Sequence, residues 1–283
     1  MSTLNVWHTS SLVAHIGTFL NSREWNKWRK TNHYFARLLV TRQCGPCSMY
    51  CPPIDEVRRY ARRIRYLHFS YADINRSSSH FDLVADYILQ CVNLEVLEIE
   101  DMGDRGVRCL DLSNCKRLLD LKLGGNLIYK IPVVSKCPLL KYLHLSETYL
   151  RDLSPLAGCI NLQGLDLRDG AVCDITPLAM CVSLTGLDLS VTEVEDISAL
   201  ASCTNLQELN IEGAMVRSVA PLKACTKLRT LRMTYQAMPA HMIDVSLLLP
   251  CPCLSLITLC SSRTANLPTL VKGCKSLLVL ANP

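Results

Sequence analysis

One pattern returns through most of this chain: a cysteine, a leucine three residues on, a second three further, and an aliphatic residue two beyond that. Cys159, Leu162, Leu165 and Leu167 carry it, as do Cys181, Leu184, Leu187 and Leu189, then Cys203, Leu206, Leu209 and Ile211. Upstream the phase holds from Cys91, Cys115 and Cys137, and downstream from Cys225. Ile64, Leu67 and Phe69 read as a degenerate first turn. Cys251, Leu254, Ile257 and Leu259 form a late unit, and Cys274, Leu277 and Leu280 the last. The cysteines step by 24, 22, 22, 22, 22, 22, 26 and 23 residues. Each Leu-x-Leu pair predicts a short strand whose alternate side chains enter one core. A single unit buries too little to stand alone, so neighbours must stack, and stability becomes a nearest-neighbour sum.

The second half of each unit reads Asp152-Leu-Ser-Pro-Leu156, Asp174-Ile-Thr-Pro-Leu178, Asp196-Ile-Ser-Ala-Leu200 and Ser218-Val-Ala-Pro-Leu222. Proline suits the first turn of a helix and not its interior, so this half predicts a tight turn or a single helical turn. Leu-x-x-Leu-x-Leu at this period is the leucine-rich-repeat signature. The Asp-Ile-x-Pro-Leu backs resemble the 22-residue internalin-type repeat, and the cysteine before the first leucine resembles the repeats of F-box proteins. These likenesses span about residues 61 to 283. They imply a right-handed α/β solenoid with a parallel sheet on its concave face and about nine repeats. The usual asparagine ladder keeps Asn126, but Thr148, Gly170, Thr192 and Ala214 stand at its other positions. Its hydrogen bonds are therefore not expected.

Composition changes near residue 66. The first 66 residues carry 11 Lys/Arg against 3 Asp/Glu, and the rest carry 19 against 22. We expect a helical segment over 1–43, a cysteine-rich linker and basic helix over 44–60, and the solenoid over 61–283. Leu12, Ile16, Phe19 and Leu20 lie on one face of a helix. Trp25, Trp28, Phe35 and Leu38 define further short helices. This run resembles an F-box, the three-helix motif that binds the Skp adaptor of cullin–RING ubiquitin ligases. The resemblance implies adaptor contact through Leu12, Ile16, Phe19, Leu20, Trp25 and Trp28. The family's opening Leu-Pro is His8-Thr9 here, and the same helices would also cap the open end of a solenoid.

Periodic cysteines behave as small buried hydrophobes, which suits a reducing compartment and an intracellular, cytoplasmic protein. No apolar run approaches the ~18 residues of a membrane helix. Cys44, Cys47 and Cys51 could give three thiolates to zinc, but the fourth ligand is missing locally, and we read the segment as a thiol-bearing linker. Arg58, Arg59, Arg62, Arg63 and Arg65 crowd around Tyr60 and Tyr66. A nucleic-acid contact is one reading, and a solvated basic helix face is the other.

The residue between each strand's leucines points out of the core: Glu98, Lys122, His144, Asp166, Asp188, Asn210 and Arg232. Glu100, Tyr142, Arg168, Glu208, Glu212 and Thr234 flank them. We expect this concave face to meet a protein partner, with Asp166 and Asp188 forming a solvated ladder. The seven histidines match no metalloprotease, triad or acid–base spacing, and no phosphate-binding glycine loop occurs. The expected function is therefore non-catalytic: an F-box-like adaptor selecting a protein for ubiquitin transfer, or a scaffold subunit in a protein or ribonucleoprotein assembly. No cofactor is expected.

Overall fold

A computed structural model of the protein describes residues 65–70, 88–100, 111–125, 128–131, 134–234, 242–260, 264–274 and 277–282. Its strands are β1 (Tyr66–Ser70), β2 (Val96–Glu100), β3 (Asp120–Lys122), β4 (Tyr142–His144), β5 (Gly164–Asp166) and β6 (Gly186–Asp188). Then follow β7 (Glu208–Asn210), β8 (Thr230–Met233), β9 (Ile243–Asp244), β10 (Leu256–Cys260), β11 (Thr264–Ala265) and β12 (Leu278–Asn282). Ten of them form one parallel sheet in the order β1 to β8, β10, β12, while β9 and β11 pair separately. The register places Leu97, Leu121, Leu143, Leu165, Leu187, Leu209, Leu231 and Ile257 in one continuous row. Every member of that row is buried. It is the core predicted from the repeat.

The opposite wall consists of single 3-10 turns, among them Ser154–Gly158, Thr176–Met180, Ser198–Ser202 and Ala220–Ala224. Pro155, Pro177 and Pro221 sit in their first turns. The preceding aspartates start them: Asp152, Asp174 and Asp196 each accept the backbone N–H two residues on at 2.8 Å. Each turn closes on its leucine carbonyl, which accepts the N–H of the cysteine three residues on. The next repeat's cysteine adds a second, weaker donor to the same carbonyl. Cys181, Cys203, Cys225 and Cys251 direct Sγ at the carbonyls of Leu156, Leu178, Leu200 and Leu222, at 3.4, 3.5, 3.4 and 3.3 Å. Burial pushes the Cys181 thiol up to about 12, so it stays a neutral donor.

At the asparagine-ladder position, the hydroxyls of Thr148 and Thr192 donate to the carbonyls of Leu145 and Leu189 at 2.8 and 2.6 Å. Stitching between neighbouring units comes from elsewhere. The Asn161 and Asn205 amides donate to the carbonyls of Pro138 and Val182 in the preceding repeats, at 2.9 and 3.0 Å.

The last unit departs from the predicted phase. Ile257 pairs with Val279 and not with Leu280, so Leu280 faces outward and is half exposed. The cause is local. This unit's turn is α-helical, α1 (Leu267–Gly273), and Cys274 N–H returns to Leu270 four residues back. In the regular units the cysteine N–H returns three residues back, as from Cys203 to Leu200. The one-residue slip exchanges the two faces of the strand.

After each of β3, β4, β5, β6 and β7 the chain takes a left-handed residue. Gly125, Glu147, Asp169, Val191 and Gly213 take it, at φ 69, 57, 52, 56 and 71°. Val191 is the least suited, being β-branched, and it is exposed. Val191→Asn should raise stability by roughly 0.5–1 kcal/mol, because asparagine tolerates this conformation and little burial is lost. Thermal unfolding of the two proteins checks it.

Candidate functional site

Two outward rows flank the buried leucines. One runs Glu98, Lys122, His144, Asp166, Asp188, Asn210, Arg232 and Thr258, each paired with the next across the sheet. The other runs Val96, Asp120, Tyr142, Gly164, Gly186, Glu208 and Thr230. The expected partner-contact residues of the strands therefore fall on one continuous face. At its rim, Arg168 Nε lies 3.8 Å from Asp166 Oδ2, and Thr234 Oγ1 donates to Glu212 Oε1 at 2.6 Å.

The ladder is not solvated as expected. Asp166 and Asp188 are each only 6% exposed, and Glu98 is 8% exposed. Parallel stacking sets every outward side chain between the equivalent residues of two neighbouring strands, and those neighbours exclude water. Polar contacts compensate in part. The Lys122 ammonium pairs with Glu98, which also accepts the Tyr66 hydroxyl at 2.6 Å. Asp188 Oδ1 accepts Ser190 N–H and Oγ–H at 2.9 and 2.5 Å, and its Oδ2 accepts the Asn210 amide at 3.1 Å. Asp166 accepts Arg168 N–H at 3.1 Å. Burial pushes its carboxyl up to about 6, and the nearby Asp188 charge pushes the same way.

Asp120 was not singled out from the sequence. It is 3% exposed, its Oδ1 has no hydrogen-bond partner, and it lies 3.6 Å from His144 Nε2. Burial pushes the Asp120 carboxyl up to about 7, with Lys122 opposing and Glu98 adding. Burial also brings His144 down to about 4, helped by the Lys122 and Arg168 charges. At neutral pH the imidazole is therefore uncharged. Burial likewise raises Glu208, against the pull of Arg232 and Arg229. One sequence signal marks Asp120: it holds the register position of Tyr142, Gly164, Gly186 and Glu208, one residue before the inward leucine.

Among the described residues, no group of three or more His, Cys, Asp or Glu side chains is arranged to hold a metal ion. No helix among them is long and apolar enough to cross a membrane. The expected adaptor residues Leu12, Ile16, Phe19, Leu20, Trp25 and Trp28, the thiols Cys44, Cys47 and Cys51, and the arginines Arg58, Arg59, Arg62 and Arg63 lie outside the described residues.

No protein-family model and no curated protein matches the chain. Solved structures do. Internalin C2 of Listeria monocytogenes is 25% identical with a TM-score of 0.59, over 70% of this chain and 84% of its own. A second internalin of that bacterium is 21% identical with a TM-score of 0.59, over 90% and 76%. A leucine-rich-repeat protein of Leptospira interrogans is 15% identical with a TM-score of 0.51, over 79% and 62%. The fold is a leucine-rich-repeat solenoid. In this solenoid the two polar rows lie on the face of the main sheet opposite the 3-10 turns, held by strands whose own core is fully apolar.

Proposed function

We propose that the solenoid is a non-catalytic protein-binding module that holds a partner on its concave face. One observation carries this reading: charged and hydrogen-bonding side chains continue in register from Glu98 to Arg232 on a rigid sheet. Curved repeat sheets commonly present their binding surface in this way. In the finer reading, the F-box-like helices dock a Skp-type adaptor, and the bound protein is thereby presented to a cullin–RING ligase. An intracellular, cytoplasmic setting agrees with the free thiols of eleven of the described cysteines.

A second reading makes the chain a scaffold subunit of a large protein or ribonucleoprotein assembly, with the helices serving only as a cap. Leu278 and Leu280, both more than half exposed on the sheet's last strand, favour it, because an apolar sheet edge invites a covering chain. Basic contacts from Arg58 to Arg63 would belong to this version.

Affinity purification of the intact chain beside Ile16→Asp separates the two. The adaptor reading expects a Skp-type protein and a cullin with the parent chain and neither with the variant. One large assembly recovered equally with both chains, without adaptor or cullin, would replace that reading with the scaffold.

A further inference from the structure

Besides its concave sheet the solenoid has a flank, where each turn leads back to the next strand. In six consecutive units this stretch covers 112–119, 134–141, 154–163, 176–185, 198–207 and 220–229. Together the six stretches hold seven Lys/Arg and no Asp or Glu. The opposite flank, where strands lead to turns over 146–152, 168–174, 190–196 and 212–218, holds three Lys/Arg against eight Asp/Glu. The exclusion of acids is therefore a property of one side and not of the whole surface.

Stacking sorts this flank further. Lys116, Arg117, Lys136 and Lys141 gather at one end, and Lys223, Lys227 and Arg229 at the other, all of them exposed. Three donate to uncharged oxygens: Lys116 to the Lys136 carbonyl at 3.2 Å, Arg117 to Asn93 Oδ1 at 3.3 Å, and Lys227 to Asn205 Oδ1 at 2.7 Å. None of the seven forms an ion pair with a described residue. At longer range Lys116 and Lys136 act on Asp111, and Arg229 on Glu208. Between the two ends, the units of Cys159, Cys181 and Cys203 carry no charge on this side. There the surface is apolar: Leu139, Ile160, Met180 and Val182 are 47, 55, 56 and 47% exposed. Pro138, Ile160 and Val182 hold one position in successive units, just after the register cysteine, with Leu139 and Met180 beside them. An exposed apolar patch with a charged rim marks a docking surface.

We infer that this flank docks an acidic amphipathic helix of a partner protein, apolar in its middle and carboxylate-bearing at both ends. The surface is separate from the concave face. Its backbone pairing argues against a strand. The Leu140, Leu162 and Leu184 N–H groups return to the carbonyls of Cys137, Cys159 and Cys181, and the Lys141 and Gln163 carbonyls accept Gly164 and Gly186 N–H. A partner strand finds no ladder to extend, whereas a helix brings side chains alone. The length also fits. The Cys115 and Cys225 units lie five repeats apart, about 24 Å at the usual strand spacing, which ~16 helical residues span. A nucleic-acid backbone is tracked by continuous positive charge, and three uncharged units interrupt it here. A bilayer interface favours aromatic anchors, and no Trp, Tyr or Phe occurs in the six stretches.

The test titrates the full chain with an end-blocked helical peptide of about 18 residues, leucine on one face, glutamate in its first and last turns and glutamine elsewhere. A twin with lysine for glutamate and a twin with shuffled order serve as controls. Amide NMR should show saturable shifts at Leu139, Ile160 and Val182 with a Kd of roughly 0.1 mM, while His144 and Asp188 on the concave face stay in place. Both twins should leave the flank signals unmoved. Ile160→Glu should weaken the glutamate peptide about tenfold. Lys136→Glu combined with Lys227→Glu should reverse the preference, so that the lysine twin binds and the glutamate peptide does not. All three positions are exposed, and an otherwise native amide spectrum checks that the variants fold. Equal binding of the lysine twin, shifts on the concave face, or no shift at about ten times that concentration would overturn the inference. So would co-flotation with phosphatidylserine vesicles that Ile160→Glu abolishes, which assigns the flank to a membrane surface. Self-association in sedimentation that the same variant abolishes would assign it to the acidic flank of a second copy, and so overturn the inference too.

Discussion

Leu187→Ala should destabilise the solenoid by about 2–5 kcal/mol, and the damage should be local. Leu187 is completely buried in the middle of β6, paired with Leu165 on one side and Leu209 on the other. Removing its isobutyl group opens a cavity between two repeats whose backbones are fixed by inter-strand bonds, so the site cannot collapse freely. In a stack where each unit touches only its neighbours, the lost energy falls first on β5 to β7. The Gly186 N–H bonded to Gln163 O and the Thr230 N–H bonded to Gln207 O report this directly. Urea unfolding gives the total. Native-state hydrogen exchange gives the distribution, with the Gly186 amide losing protection and the Glu95 and Leu256 amides keeping most of theirs. A loss below about 1 kcal/mol, or an even loss along the chain, would contradict the assigned packing.

The reach of the sequence follows from the same physics. A core shared by identical units demands one residue type at one register position. The leucines, the cysteines and the proline-bearing turns were therefore legible as a period. The cysteine contact with the preceding turn was not, because a thiol at a fixed spacing reads equally as a small apolar filler. The slip at β12 was hidden by a leucine-rich stretch that satisfies either phase: Leu277, Leu278 and Leu280 offer an apolar residue at whichever position the turn selects. The outward rows were legible as a surface but not as an environment. Asp166 reads as an exposed acid in its own strand, and only the strands 22 residues before and after it bury it. Gly164 and Gly186 carry no periodic signal of their own, and only the stacked register shows that they pair with each other between Tyr142 and Glu208, with the Tyr142 ring lying against Gly164. The adaptor-contact reading of Leu12 to Trp28 rests on motif resemblance alone.

Asp120→Asn should stabilise the protein at pH 8 by about 1–3 kcal/mol and have little effect near pH 4. The Asp120 carboxyl sits at about 7 in the folded chain because burial disfavours its charge. An unfolded aspartate titrates near 4, so between those values the folded state holds the extra proton and unfolding releases it. Stability contributed by this site is therefore full at low pH and declines as pH rises toward 7, after which the whole penalty is present. Three units correspond to about 4 kcal/mol, and burying the replacement amide takes back part of that. His144 acts in the opposite direction. Its value of about 4 means that folding resists its protonation, so stability falls as pH drops from about 6.5 toward 4. Lys122, Glu98, Tyr142 and Arg168 are the other ionisable groups acting on this pair, and the substitution leaves all four in place. Urea unfolding of both proteins at pH 4, 6 and 8 should show the gain growing with pH. A pH-independent difference would mean that Asp120 is already neutralised.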